Sequence, residues 1–364
     1  MIIYISMFIV LALFYILHTV YSRNHNLKNK HKPSRVVAFI VFAYIIFWIG
    51  MRNHYIDTGV YIISFENAAW SGLSALDFSF NSGWGFDILE IFFHECISSN
   101  PQVWLMFLAI ISGTLVGVTF YKYSQNFFYS VFIFLASTDF LWMMNGIRQF
   151  LVVSILFAAT PLIEKGKTVK YILLVLACSV IHGTALLMIP VYFFVRAKPW
   201  KPRTLLLFTF VLFVLFFSSL FTDLLENIFK ETKYENIREQ FSQDDGAHPL
   251  RILVFSVTPI LSFLARKRLP QDDILINVFV NMSLITLGLY LISMATSGIL
   301  LGRLPIYTQL YQYMLLPHVI DSLLEKTPRT LVYMLSIVLF LLYFFIAAHI
   351  TDLYYSSTLT GIIN

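Results

Sequence analysis

Charge is scarce in this 364-residue chain: Lys, Arg, Asp and Glu together supply 12% of it, against 58% hydrophobic residues. A soluble domain of this length needs about twice that charge, so the composition describes a polytopic membrane protein. Cysteine is nearly absent. Cys96 and Cys178 both sit in apolar contexts, with no metal-ligand spacing and no obvious disulfide, so they leave the redox compartment undetermined. Also missing are a Walker loop, a dinucleotide glycine signature, an HExxH zinc pair and a nucleophile elbow. The formal charge of +5 does not imply nucleic acid, because basic residues in such a chain mostly set its orientation. The run from Ile2 to Tyr21 lacks a basic leading region and a small-residue cleavage site. It reads as a retained first helix rather than a signal peptide.

What the chain has in abundance is long apolar runs. Those of membrane-crossing length predict spans at 2–21, 36–51, 101–120, 126–141, 146–163, 204–221, 250–265, 274–294, 304–321 and 330–348. Between them lie basic clusters: Arg23 to Arg35, Lys122, Lys165 to Lys170, Arg196 to Arg203, Arg266 to Arg268, and Lys326 with Arg329. The positive-inside rule assigns these to the cytoplasmic side and both termini to the outside. One segment breaks the alternation. "YILLVLACSVIHGTALLMIPVYFFV" is long enough for a single crossing yet has basic clusters on both flanks, which predicts a re-entrant pair of half-helices turning near His182 and Gly183. A single span with an external basic loop is the alternative. The expected fold is all-α: about ten full spans plus the half-helix pair, forming a single integral membrane domain. Two external loops follow, 52–100 and 222–250. The second carries apolar residues near helical spacing from Leu224 to Phe241, which predicts an amphipathic helix on the membrane surface.

Three arginines stand apart from the cytoplasmic clusters. Arg52 ends the second span, Arg148 begins the fifth in "MMNGIRQFLVVSILFAATPLI", and Arg303 begins the ninth in "SGILLGRLPIYTQLY". All three fall at the external ends of helices in this topology. An ionisable side chain inside a span is costly and marks a functional site by default. Arginine suits phosphate, because its planar guanidinium makes paired hydrogen bonds and stays charged when partly desolvated. A shared pyrophosphate would account for all three. Against that, each could snorkel to headgroups or pair with an acid such as Asp57 or Asp139.

The motifs also resemble a known family. "GMRNHYIDTGVYIISFE" resembles the Arg, Asp-Thr, Tyr pattern near the first outer loop of the EpsG-like polysaccharide polymerases, which belong with the Wzy-type enzymes of O-antigen, capsule and exopolysaccharide synthesis. "MNGIRQFLVVSILF" followed by "LACSVIHGTALL" resembles that family's Asn-x-x-Arg-Gln helix and later histidine. "GRLPIYTQLY" is similar to its C-terminal arginine segment. The lead-in to the Asp-Thr pair departs from the family's usual Gly-Thr-Asp type, reading "HYIDTG".

The resemblance implies a multi-pass glycosyltransferase of the bacterial cytoplasmic membrane, with its active site facing outward. Donor and acceptor are undecaprenyl-diphosphate-linked oligosaccharides, and membrane lipid surrounds both. A separate chain-length regulator could bind the external loops. Arg52, Arg148 and Arg303 would stabilise the diphosphate with no metal or cofactor. His182 or Asp57 would take the proton of the acceptor hydroxyl, and His182 could equally position the diphosphate or serve as a satisfied core residue. Asn145 and Gln149 would orient Arg148 or touch sugar, or else pack between helices. Tyr61 and Tyr307 would cap sugar or phosphate, or else anchor at the interface, and Trp70 and Trp84 read first as belt residues. Two other classes use similar residues. A flippase for the same lipid-linked sugars would show inverted repeats and cations on both faces, and no repeat is seen. A membrane acyltransferase would draw on cytoplasmic donors, whereas His182 is expected to face outward.

Overall fold

A computed structural model describes residues 1–25, 31–71, 76–79, 83–217, 247–295, 301–351, 353 and 355–362, apart from the side chains of 68–71. Trp70 as a side chain and the surface helix expected from Leu224 to Phe241 therefore lie outside the described residues. Those described are 77% helical and form no strand, only isolated bridges such as His54 to Ser356. The fold is all-α.

In chain order the helices are α1 (Ile2–Asn24), α2 (Arg35–Gly50), α3 (Thr58–Ser71), α4 (Trp84–Cys96), α5 (Pro101–Tyr123), α6 (Phe127–Ala136), α7 (Ile147–Ala158) and α8 (Thr160–Glu164). There follow α9 (Thr168–Ser179), α10 (Met188–Val195), α11 (Pro202–Phe216), α12 (Pro249–Leu264), α13 (Ile274–Met294), α14 (Ile306–Leu323) and α15 (Lys326–Thr351). Several starts are written in the sequence. Ser34, Asn100, Asn126 and Asp273 each accept a hydrogen bond from a first-turn N–H of α2, α5, α6 and α13, and Pro101 occupies the first position of α5, where its missing N–H costs nothing.

Length and composition make α1, α5, α13 and α15 long and apolar enough to cross a membrane. The chain is a multi-pass membrane protein in that sense. Other expected spans are shorter apolar helices, with visible reasons. The run 126–141 stops at Ala136, where Thr138 takes a left-handed conformation (φ 68°) into a 3-10 turn, Asp139–Met143. The run 146–163 breaks between Ala158 and Thr160, just ahead of Pro161. α14 has 18 residues, but Gln309, Gln312 and Asp321 keep it too polar to count with the four. At the expected re-entrant turn α9 ends at Ser179, and a 3-10 turn, Gly183–Leu187, precedes α10. The stretch 52–100, expected as an external loop, builds α3 and α4.

Contacts group the chain into two compact units, one of Met1–Ile189 with Thr330–Asn364 and one of Pro190–Arg329. At the centre of the first, α5 packs against α2 and α7. Gly113 and Gly117 allow the α2 approach, since a Cβ at either would overlap Ile46 or Phe42. Small residues four apart are a common way to bring two membrane helices into backbone contact. In the second unit α13 packs against α11, α12 and α14. Two buried polar pairs cross that seam. The hydroxyls of Thr286 and Thr308 lie 2.7 Å apart, and Tyr290 donates to Gln309 Oε1 at 2.6 Å.

Candidate active site

Gly146 sets up the first part of the site. Its left-handed conformation (φ 71°) turns the chain out of the 3-10 segment and starts α7 at Ile147, which places Arg148 in the first helical turn. There the helix dipole and Arg148 both favour an anion. The guanidinium lies 4.9 Å from the Phe86 ring centroid, and its Nη2 is 3.5 Å from Asp87 Oδ1. Side-chain exposures of 27% for Arg148 and 36% for Asp87 make this a loose, part-solvated pair, worth no more than about 1 kcal/mol. Among the described residues it is Asp87, not Asp139, that pairs with Arg148.

α4 is stitched to this place from the other side. The Gly85 N–H donates to the Val180 carbonyl at 3.0 Å. At Gly83 (φ 83°) a Cβ would strike Arg148 Nη1 and come within 3.2 Å of the Ile181 carbonyl. Only glycine lets the guanidinium and the chain ahead of His182 close on this turn. His182 itself is half-buried, with Nδ1 held 2.7 Å from the Thr184 hydroxyl, which fixes the ring's orientation. Asn145, just before α7, has a buried Oδ1 with no partner among the described residues, and Gln149 is 3% exposed within α7.

Beneath the first turn of α4 lies Glu90, on the same helix face as Asp87. It is 2% exposed in an aromatic cluster that includes Phe65, Phe86, Phe93 and Trp104. Its Oε2 accepts from Ser64 at 2.9 Å, and its Oε1 is buried with no hydrogen-bond partner among the described residues. Burial lifts this carboxyl to about 7, against the opposing pull of the Ser64 hydrogen bond and Arg148. The sign of the consequence follows from linkage. The unfolded chain gives up this proton near 4.5, so between there and about 7 the folded state loses stability as pH rises. Glu90→Gln should remove that slope and melt higher than the parent above pH 7, by a margin of up to about 3 kcal/mol. Apparent melting temperatures in detergent at pH 5 and pH 8 check this, and parallel profiles for the two proteins would contradict it.

Arg52 is enclosed, although the sequence places it at the open end of a helix. It is 1% exposed, its Nε donates to Thr58 Oγ1 at 3.0 Å, and its Nη1 donates to the Ile49 carbonyl at 2.5 Å. Tyr4, Tyr55, Tyr61 and Tyr355 surround it. Burial lowers the guanidinium to about 10, so it stays charged at neutral pH. Residues 355–357 close the cage. Tyr355 donates to the Trp48 carbonyl and Ser357 to that of Met51, both at 2.6 Å. Asp57, half-buried, immediately precedes Thr58. Tyr61 links this cage to the Arg148 region through an edge-on contact with Phe86 at 6.2 Å between ring centroids.

Arg303 and Tyr307 belong to the second unit. Arg303 is half-buried in the turn before α14, and Tyr307, in the first turn of that helix, is 3% exposed. Further along the same helix, the side-chain Nε2 atoms of Gln309 and Gln312 are buried without partners among the described residues. Gly83, Asp87, Glu90, Thr184 and these two glutamines are not among the residues expected from the sequence. "FDILE" does carry a usable signal, because Asp87 and Glu90 at three-residue spacing share a helix face. Among the described residues, no group of three His, Cys, Asp or Glu is placed to hold a metal ion.

No significant match was found among curated proteins or among solved structures. The sequence model of the EpsG family matches residues 35–358, which span α2 to the segment that closes the Arg52 cage. The chain therefore belongs to the EpsG family.

Proposed function

We propose that this EpsG-family membrane protein is a polysaccharide polymerase that joins lipid-linked repeat units at the outer face of the bacterial cytoplasmic membrane. The observation that carries the reading is the convergence in the first unit of Arg148, the opening turn of α4 and the helix break at His182. Donor and acceptor are glycans on undecaprenyl diphosphate. The acceptor hydroxyl oxygen attacks the donor's anomeric carbon, the bond from that carbon to the diphosphate oxygen breaks, and the carrier leaves as a lipid diphosphate. Its developing charge falls to Arg148 and the positive end of the α7 dipole. His182, oriented by Thr184, receives the hydroxyl proton, and Asp57 is the other group assigned to that step.

Asn145 and Gln149 are assigned to sugar or to the bearing of Arg148, and Arg303 and Tyr307 are assigned to substrate. Tyr61 braces Phe86 under Arg148. Arg52 retains only an indirect role, since Thr58 and a backbone carbonyl already hold it. The about ten crossings, the re-entrant pair and the outward termini belong to the same proposal.

Two readouts test it. A strain lacking the protein should display single capped repeats in place of a glycan ladder, whereas no surface repeat at all would indicate a flippase. Purified protein given lipid-linked repeats should extend them in excess chelator, because arginine meets the leaving charge. Complete loss of extension, restored by magnesium or manganese, would overturn the metal-free mechanism.

A further inference from the structure

On the flank of α2 and α5 runs a trough of about 840 Å³. Two helical rows form its walls. Along α2, Arg35, Phe39, Ala43 and Phe47 succeed one another four residues apart, and along α5 so do Met106, Ile110, Thr114, Val118 and Lys122. Side chains at that spacing lie one above another on a helix. The small Ala43 and Thr114 face the middle of the trough, while Phe39 (73% exposed) and Val118 (59%) rim it. Both rows end in a cation at the same end, where the start of α2 meets the end of α5. Lys32 joins them there, its ammonium held 4.8 Å from the centroid of the Tyr121 ring. Among the described residues, Lys32, Arg35 and Lys122 have no carboxylate partner.

We infer that this trough is a binding site for one anionic phospholipid, its phosphate among Lys32, Arg35 and Lys122 and its acyl chains between the rows. Dimensions and charge decide the occupant. From Arg35 to Phe47 the α2 row rises about 18 Å, close to the roughly 15 Å depth of one leaflet's hydrocarbon, so the trough fits a lipid seated with its headgroup at the cationic end. The positive-inside rule makes that leaflet the cytoplasmic one, where anionic headgroups collect at basic pockets between membrane helices. A second copy of the chain would meet three unpaired cations at this edge. A zwitterionic lipid would leave their charge uncompensated. The inference is independent of the glycan chemistry proposed for the site around Arg148.

Native mass spectrometry of the intact protein, released from nanodiscs holding equal phosphatidylglycerol and phosphatidylcholine, tests the idea. Wild type should retain phosphatidylglycerol at least tenfold over phosphatidylcholine, and excess inorganic phosphate should not displace it. The triple variant Lys32→Gln, Arg35→Gln, Lys122→Gln should lose the preference. Ala43→Leu, which fills the trough and keeps the cations, should lower retention of both lipids. The wild-type comparison stands even if a variant folds poorly. Equal retention of the two lipids by wild type would overturn the inference. So would a preference that survives the triple substitution, displacement by inorganic phosphate, or a dimer in place of lipid-bound monomer.

Discussion

Arg148→Lys is expected to lose polymerisation by roughly 10²-fold while the protein still accumulates in the membrane. Lysine keeps the positive charge but removes the planar fork that grips two phosphate oxygens, and its compact ammonium cannot lie flat on Phe86. Because the Asp87 contact is long and part-solvated, losing it should cost little stability. The defect should therefore appear in the glycan ladder and not in the amount of protein. Asp87 supplies the control. If Arg148 served only to neutralise that carboxylate, Asp87→Asn would rescue Arg148→Ala. Restored ladders in the double variant, or a normal ladder in Arg148→Lys, would remove Arg148 from the chemistry.

Arg52→Ala should fail differently, by loss of the folded protein. The substitution deletes a fully buried guanidinium, leaves the Ile49 carbonyl without its donor, and opens a void among Tyr4, Tyr55 and Tyr355. Breaking such a buried polar cluster costs about 3–5 kcal/mol. Lysine cannot reproduce both hydrogen bonds from one ammonium position, so Arg52→Lys should fall between alanine and wild type. Fluorescence-detected size exclusion after heating reads the effect directly. If Arg52→Ala melted with wild type while the ladder disappeared, the residue would be a substrate ligand after all.

The contrast between these two arginines shows what a sequence can reveal. The helix start that carries Arg148 is legible because it is fixed locally, by Gly146 two residues earlier and an apolar run behind it, although Phe86 and Asp87 beside its guanidinium lie some 60 residues away. Arg52 looks equivalent, at the end of an apolar run, but its burial depends on Tyr355 and Ser357, some 300 residues away. No periodicity reports such a contact. The helices of 52–100 were hidden for another reason. α3 and α4 mix apolar and polar residues and fall below the hydropathy that marks a span, so they read as loop. Asp87 and Glu90 were lost with them. The break near His182 was visible because basic clusters flank a segment too short to cross twice. The break after Ala158 leaves no mark in the sequence, because Pro161 sits beyond it and can start a helix as readily as end one.

The closure of the Arg52 cage also orders events in time. Ribosomes make the α2 end of the cage about 300 residues before Tyr355 and Ser357, so at about 5–20 residues per second tens of seconds separate the two. Through that interval the nascent chain holds a charged guanidinium at the end of an apolar helix without its final lid. A protease that samples nascent chains would meet the protein in that state. Variants that weaken the late segment, such as Tyr355→Ala, would lengthen this exposure and reduce yield even where the finished protein is stable.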